Sequence, residues 1–404
     1  MTTLVTGIGV AAPGGLGVGE FWPAVLAGKS AIAPVRGFDG SGYSVRLAGQ
    51  IRGFVPERHL PNRLLPQTDR VTQLALTAAE WALADADIGR SLVTTDEMGV
   101  VLSNGQGGFE FTHREFHKLW NDGPEEVSVY ESFAWFYAAN TGQISIRHGL
   151  RGPCGVLVGE QAGGLDAIAS ARRYIRRGTP LVVSGGLDSA FDPWGFLSQT
   201  AHGRVSRAEE DWAAFLPFDR GANGYVPGEG GAVLVLEDGT SALDRGVPVY
   251  GEIAGYGASF DPRPGSGRKP ALKRALERAL ADAAVEPRDV DVVFADSAGR
   301  PDLDRIEAAA ISDVFGPQGV PVTAPKAAYG RLGAGGGPLD VATALLAVRE
   351  SVIPPTAHTL DVPEEYGIDL VTSAAREKDL RTAVVLARGY GGFNSALVVR
   401  RFGY

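Results

Sequence analysis

Apolar residues along the chain fall into two alternating patterns. Short, uncharged runs rich in Val, Ile and Leu recur between longer Ala/Leu/Arg stretches whose apolar positions repeat every three or four residues. The short runs predict strands buried on both faces at Leu4–Val10, Gly99–Ser103, Gly155–Gly159, Leu181–Ser184 and Ala232–Glu237. The longer stretches predict helices at Asp69–Asp87, Phe109–Trp120 and Ala162–Arg177. A second, shorter series begins near residue 248, with strand Val249–Gly257, helix Pro270–Ala284, strand Val290–Ala295, helix Asp304–Phe315, strand Val320–Thr323, helix Leu339–Glu350 and closing strands Thr382–Ala387 and Ser395–Arg400. Alternation of this kind predicts an α/β architecture. The echo of the first series in the second predicts an internal duplication with halves 1–247 and 248–404, joined across the segment 238–248.

Composition narrows the function classes. A chain of 404 residues has room for two or three domain-sized units, and a formal net charge of −9 argues against a surface that tracks phosphates, so nucleic acid is not an expected partner. The segment Met1–Gly7 lacks a basic stretch ahead of its apolar residues, and no apolar run reaches 18 residues. The expectation is a soluble cytoplasmic protein without a membrane partner. Cys154 is the only cysteine, which excludes an internal disulfide framework and a Cys-cluster metal site. Entering an apolar run, its side chain is expected to pack rather than react.

Three local patterns lead nowhere. Gly7-Ile8-Gly9-Val10-Ala11-Ala12 matches a dinucleotide fingerprint, but Pro13 forbids the helix that fingerprint must open. Gly28-Lys29-Ser30 resembles the end of a phosphate loop, yet the glycine required five positions earlier is Pro23. His113 and His117 have a spacing that can hold a metal, but no glutamate occupies the HExxH position and Arg114 and Lys118 flank them. They read as solvated or packed, and no cofactor or metal is expected.

The chemistry concentrates in three segments. Val156-Leu157-Val158-Gly159-Glu160-Gln161-Ala162-Gly163-Gly164 places Gln161 at a strand-to-helix turn, where helix N–H groups would activate a nucleophile. Pro217–Ala232 is a Gly-rich lead into an apolar strand, and Gly389-Tyr390-Gly391-Gly392-Phe393-Asn394 lies near the end. In this order, over nearly the whole chain, these segments resemble the β-ketoacyl synthases of the thiolase fold. The Glu-Gln-Ala-Gly-Gly turn resembles the chain length factors of type II polyketide synthases. The resemblance implies a thiolase-like fold of two duplicated α/β halves in a five-layer αβαβα arrangement. It also implies a heterodimer with a catalytic ketosynthase α subunit, and an acyl carrier protein that brings malonyl and the growing polyketide.

Condensing members of that family use a Cys and two His, and this chain departs at each. Gln161 stands at the Cys position. The first His, in an Ala-His-Gly-Thr-like segment, falls in Ala295-Asp296-Ser297-Ala298-Gly299, where Ser297 is the expected counterpart across a one-residue gap. The second, in a Lys-x-x-x-Gly-His segment, falls in Lys326-Ala327-Ala328-Tyr329-Gly330-Arg331, so Arg331 replaces it. A carboxamide has no useful nucleophilicity, and a guanidinium with a pKa above about 12 cannot act as a base. The expectation is a non-condensing subunit in which Gln161 is a hydrogen-bonded polar plug. The alternative is a malonyl-carrier decarboxylase that primes chain initiation, supported by Gln161 and turn amides near Tyr390.

On the predicted helix Phe109–Trp120, Phe109, Thr112 and Phe116 fall on one stripe, with Glu110, Arg114 and Lys118 opposite. Periodicity alone makes this a core-facing stripe. The resemblance implies instead that it lines a tunnel at the subunit interface and limits polyketide length, with Phe133 and Trp194 as further gate candidates. Two phenylalanines around a threonine imply a short, octaketide-type product.

Overall fold

The first strand of each half lies at the centre of the molecule, and the two pair with each other. The computed structural model describes residues 2–90 and 93–403. The first half runs β1 (Thr3–Ala12), α1 (Arg70–Asp85), β2 (Met98–Ser103), α2 (Phe109–Asn121), β3 (Cys154–Leu157), α3 (Gly163–Ile175), β4 (Leu181–Asp188), α4 (Pro193–Thr200) and β5 (Gly230–Asp238). The second half runs β6 (Gly251–Phe260), α5 (Leu272–Ala283), β7 (Val292–Phe294), α6 (Pro301–Phe315), β8 (Pro321–Thr323), α7 (Gly336–Glu350), β9 (Thr382–Arg388) and β10 (Phe393–Arg400).

The spatial orders are β1-β5-β4-β2-β3 and β6-β10-β9-β7-β8. Counted within each half, both read first, fifth, fourth, second, third. Pairing directions repeat as well, with two antiparallel ladders next to the centre and two parallel ladders outside. Antiparallel pairing of Leu4 with Glu252 and of Val5 with Gly251 joins the halves into one sheet.

Helices α3 and α7 pack against each other between the two halves of the sheet. Helix α7 is buried from Gly336 through Val348, with Asp340, its one charged residue in that stretch, neutralised by Lys326. Helix α1 covers the outer face of β1 and β5, and α5 covers β6 and β10. The result is the αβαβα stack of five layers, with one apolar core around the central helices and one under each outer helix.

The Gly7–Gly9 pattern that fails as a nucleotide motif has a packing role. A Cβ on Gly9 would come within 1.9 Å of the Ala78 carbonyl oxygen, so only glycine lets α1 lie this close to β1. The second half repeats the device, with Gly257 against the Ala275 carbonyl of α5 at 2.1 Å from the same notional atom.

Some elements differ from the sequence expectation. Segment 238–248 is not an open connection: it holds a helix, Gly239–Arg245, capped by the Asp238 carboxylate. The buried Arg245 guanidinium pairs with Glu237 and donates to the carbonyls of Ala86 and Asp87 at the end of α1, which ties this helix down. Strand β3 stops at Leu157, ahead of the turn at Glu160–Ala162. Cys154 is exposed at the start of this edge strand rather than packed. Helices at Val18–Leu26 and Ala139–His148 carry weak signals, the first interrupted by Pro23 and the second with only Ile144 and Ile146 as large apolar residues. Among the described residues, no helix is long and apolar enough to cross a membrane.

Candidate functional site

Between β3 and α3 the chain makes a tight turn, Glu160–Ala162, with Glu160 in the left-handed region at φ 52°. Such a conformation costs on the order of 1–3 kcal/mol and persists only where neighbours enforce it. Here the Glu160 carboxylate accepts the Tyr390 backbone N–H at 2.5 Å, joining the Gln161 turn to the Gly389–Asn394 segment. Both segments face a cavity of about 760 Å³, whose wall also carries Arg331, Asp296, Tyr225 and His202. Gln161 is 7 % exposed. Its carboxamide lies against the first turn of α7, where a Cβ on Gly336 would sit 3.4 Å from Oε1. The hydrogen-bonded plug expected from the sequence is not what forms, since no protein group among the described residues bonds this carboxamide.

Arg331 and Asp296 form a buried pair on the same wall. Arg331 Nη2 donates to both carboxylate oxygens of Asp296, at 2.7 and 2.8 Å, and to the Arg388 carbonyl at 3.0 Å. Its guanidinium also lies 5.0 Å from the centre of the Tyr225 ring. Burial works against the charge, but Asp296 and then Glu160 outweigh it and hold the Arg331 pKa above its ordinary value. Lys326, the other basic residue of this segment, pairs with Asp340 at 2.6 Å and donates to the Ala295 carbonyl at 3.0 Å, which fixes the strand end that presents Asp296.

This geometry corrects the register at Ser297. Ser297 is fully buried and its hydroxyl has no partner, and it is Asp296 and Ala298 that face the cavity. Ser297 also adopts φ 45°, the region that favours glycine. In an Ala-His-Gly-Thr-like segment the glycine follows the histidine, so an ungapped register puts that glycine at Ser297 and the histidine at Asp296. Asp296, which sequence reasoning passed over in favour of Ser297, is the ionisable residue of this segment that faces the cavity. Two backbone N–H groups, of Asp296 and Ser297, donate to the buried Glu307 carboxylate. Burial and the nearby Asp296 charge push the Glu307 pKa up.

His202 offers no replacement base. Its Nδ1 accepts the Arg204 backbone N–H at 3.2 Å, so the ring proton resides on Nε2, which faces the Tyr225 hydroxyl at 2.9 Å. Burial, then the charge of Arg204, lowers its pKa and favours this neutral form. Among the residues lining the cavity there is no thiol, and its one imidazole, His202, has its Nδ1 lone pair taken by the Arg204 N–H.

Helix α2 starts at this cavity with Phe109 on its lining. Its buried face is Phe111, Thr112 and Glu115, not the stripe Phe109, Thr112 and Phe116. The reason is tertiary: the Phe111 N–H is held by Asp69, Glu115 accepts from Lys118 and from the Ser128 N–H, and Thr112 donates to Glu131. Phe109 and Phe116 are half-buried against a residue from α4. Their ring centres lie 4.9 and 5.9 Å from that of Trp194. Trp120 continues the row at 5.2 Å from Phe116. Trp194 and Trp120 are 42 % and 73 % exposed, leaving an aromatic ridge open on the surface. The structure therefore brings Phe109, Phe116 and Trp194 together, while Thr112 turns inward and Phe133 pairs with Tyr130 instead.

The family model described as "Beta-ketoacyl synthase, N-terminal domain" matches residues 3–242, and "Beta-ketoacyl synthase, C-terminal domain" matches residues 250–360. The chain is 62 % identical to the actinorhodin polyketide β-ketoacyl synthase 2 of Streptomyces coelicolor, over 100 % of this chain and 99 % of that protein. It is 56 % identical to the tetracenomycin polyketide synthase ketoacyl synthase β subunit of Streptomyces glaucescens, over 99 % of this chain and 98 % of the other. Among solved structures, the ishigamide ketosynthase/chain length factor superposes with a TM-score of 0.88 at 26 % identity, covering 100 % of this chain and 99 % of that one.

Proposed function

The chain belongs to the β-ketoacyl synthase family, among the ketosynthase β subunits of type II polyketide synthases, and from that premise we propose that it is the non-condensing partner of a catalytic ketosynthase α subunit, in which it sets the length of the polyketide. The observation that carries the reading is the Asp296–Arg331 pair beside Gln161. Condensation needs a thiolate to take the acyl group and an imidazole to handle protons. A carboxamide and a locked ion pair supply neither, so the chemistry belongs to the partner.

The same pair weighs against the decarboxylase alternative. A free cation could bind the malonyl carboxylate, but Arg331 already spends its charge on Asp296, and loss of carbon dioxide gains nothing from a cation that holds the departing carboxylate. The length-setting role rests on Phe109, which lines the cavity, and on Trp194 and Phe116, which continue the aromatic row from it. Bulk at a tunnel end favours the shorter, octaketide-type product. An acyl carrier protein bearing malonyl and the growing chain is the remaining partner.

The test is product mass from the chain co-purified with its ketosynthase and fed malonyl carrier protein. A polyketide that lengthens in Phe116→Ala supports the reading. Carbon dioxide released from malonyl carrier protein by the chain alone would replace it with the decarboxylase.

A further inference from the structure

Two histidines that the proposed function leaves unused face each other across one turn of α2. The Nε2 atoms of His113 and His117 are 3.1 Å apart, with ring centres at 4.7 Å. On the far side of the His113 ring, Nδ1 lies 2.6 Å from the carboxylate of Asp192. That carboxylate is buried and held in place, because its two oxygens also accept the Trp194 and Gly195 N–H groups and cap α4. A carboxylate at Nδ1 keeps the His113 proton there and leaves Nε2 as a lone pair. His117 then donates its Nε2 proton into that lone pair.

We infer that His113 and His117 form a two-ligand site for a divalent first-row transition ion, Zn²⁺ among them, bound through both Nε2 atoms with Asp192 orienting His113. Zinc–nitrogen bonds of about 2.0–2.1 Å at angles between square and tetrahedral place the two nitrogens roughly 2.9–3.4 Å apart. The observed 3.1 Å falls inside that window, so the helix already presents the bite. Binding requires only that His117 move its proton from Nε2 to Nδ1 through solvent, with no net proton change and no redox step. Among the described residues no group of three or more His, Cys, Asp and Glu gathers around an ion, so the other coordination positions are left to water or a bound partner. The bound ion would clip the turn of α2 that carries Phe116, beside Trp194, whose ring lies 6.3 Å from that of His113.

The experiment uses the full chain, alone and in complex with its ketosynthase, stripped with chelator and titrated with ZnCl₂ in a calorimeter. One saturable ion per chain is expected, bound at least tenfold more weakly by His117→Ala and by His113→Ala, and unchanged in His59→Gln. Zinc should raise the melting temperature of wild type and not of His117→Ala, since an ion that binds only the folded state stabilises it by mass action. His117 is exposed, so its removal leaves the fold intact. Equal zinc binding by wild type and His117→Ala, unsaturable binding by an adventitious ion only, or no binding at all would each overturn the assignment.

Discussion

Arg331 meets Asp296 through a single nitrogen: Nη2 reaches both carboxylate oxygens, at 2.7 and 2.8 Å, while Nε on the same guanidinium is buried without a partner. The two residues answer each other's charge instead of a substrate's.

Breaking this pair should cost more than removing it. Asp296→Ala strands a buried guanidinium and is expected to destabilise the chain by about 3–5 kcal/mol, whereas Asp296→Ala combined with Arg331→Met should cost clearly less than the sum of the single changes. Urea denaturation of the three variants measures the coupling, and additive costs would show that the pair is not a unit.

The aromatic row predicts product length. Phe116→Ala removes bulk that packs on Trp194 and should shift the polyketide to a longer mass, and Phe109→Ala, at the cavity end of the row, should do the same. Both rings are half-buried, so the stability cost should fall below the ~3–5 kcal/mol of a fully packed Phe→Ala change. Mass spectrometry of products reads the first effect and thermal unfolding the second. Unchanged product from both variants, with the complex intact, would remove α2 from the gate.

Trp194 and Trp120 form the exposed part of the same ridge, and aromatic side chains of this kind anchor interfaces. Trp194→Asp should weaken the complex with the ketosynthase subunit at least tenfold in a binding titration, while far-ultraviolet circular dichroism of the chain stays unchanged. Equal affinity would place the interface elsewhere.

Asp304 makes stability depend on pH. Burial raises its pKa from 3.8 to about 6, against the N–H groups of Phe218, Arg300 and Ala298 that pull it down. A folded-state pKa above the unfolded value means that the folded chain binds the proton more tightly. Its contribution is present below about pH 4 and is lost as pH rises through about 6, a term on the order of 3 kcal/mol. Asp304→Asn should therefore flatten the fall in stability between pH 4 and 6, as followed by urea denaturation at each pH. A wild-type slope retained in the variant would assign it to another group.

Local signals carried most of the elements. Strands such as β4 and β5 are uninterrupted apolar runs because helices cover both of their faces, and α5 shows a clean 3.6-residue repeat because it has one buried side. Helix α4 went unread: Asp192-Pro193 is a cap followed by proline at the first helical position, but the apolar pattern there is too short to draw attention. The buried face of α2 was not legible. Its apolar stripe and its core-facing side differ by part of a turn, and the outcome depends on Asp69, Ser128 and Glu131, which lie up to 42 residues away in sequence.

By itself the sequence determined the alternating α/β elements and the presence of a carboxamide, Gln161, at the strand-to-helix turn. Both follow from residue identity and near-neighbour spacing, to which periodicity and side-chain chemistry respond directly. Only the tertiary structure decided which residue opposes Arg331, which aromatics share the ridge and which carboxylate meets His113. Those are relations between segments, such as 35 residues between Asp296 and Arg331, and they depend on how β7, α4 and the central helices pack rather than on any local pattern.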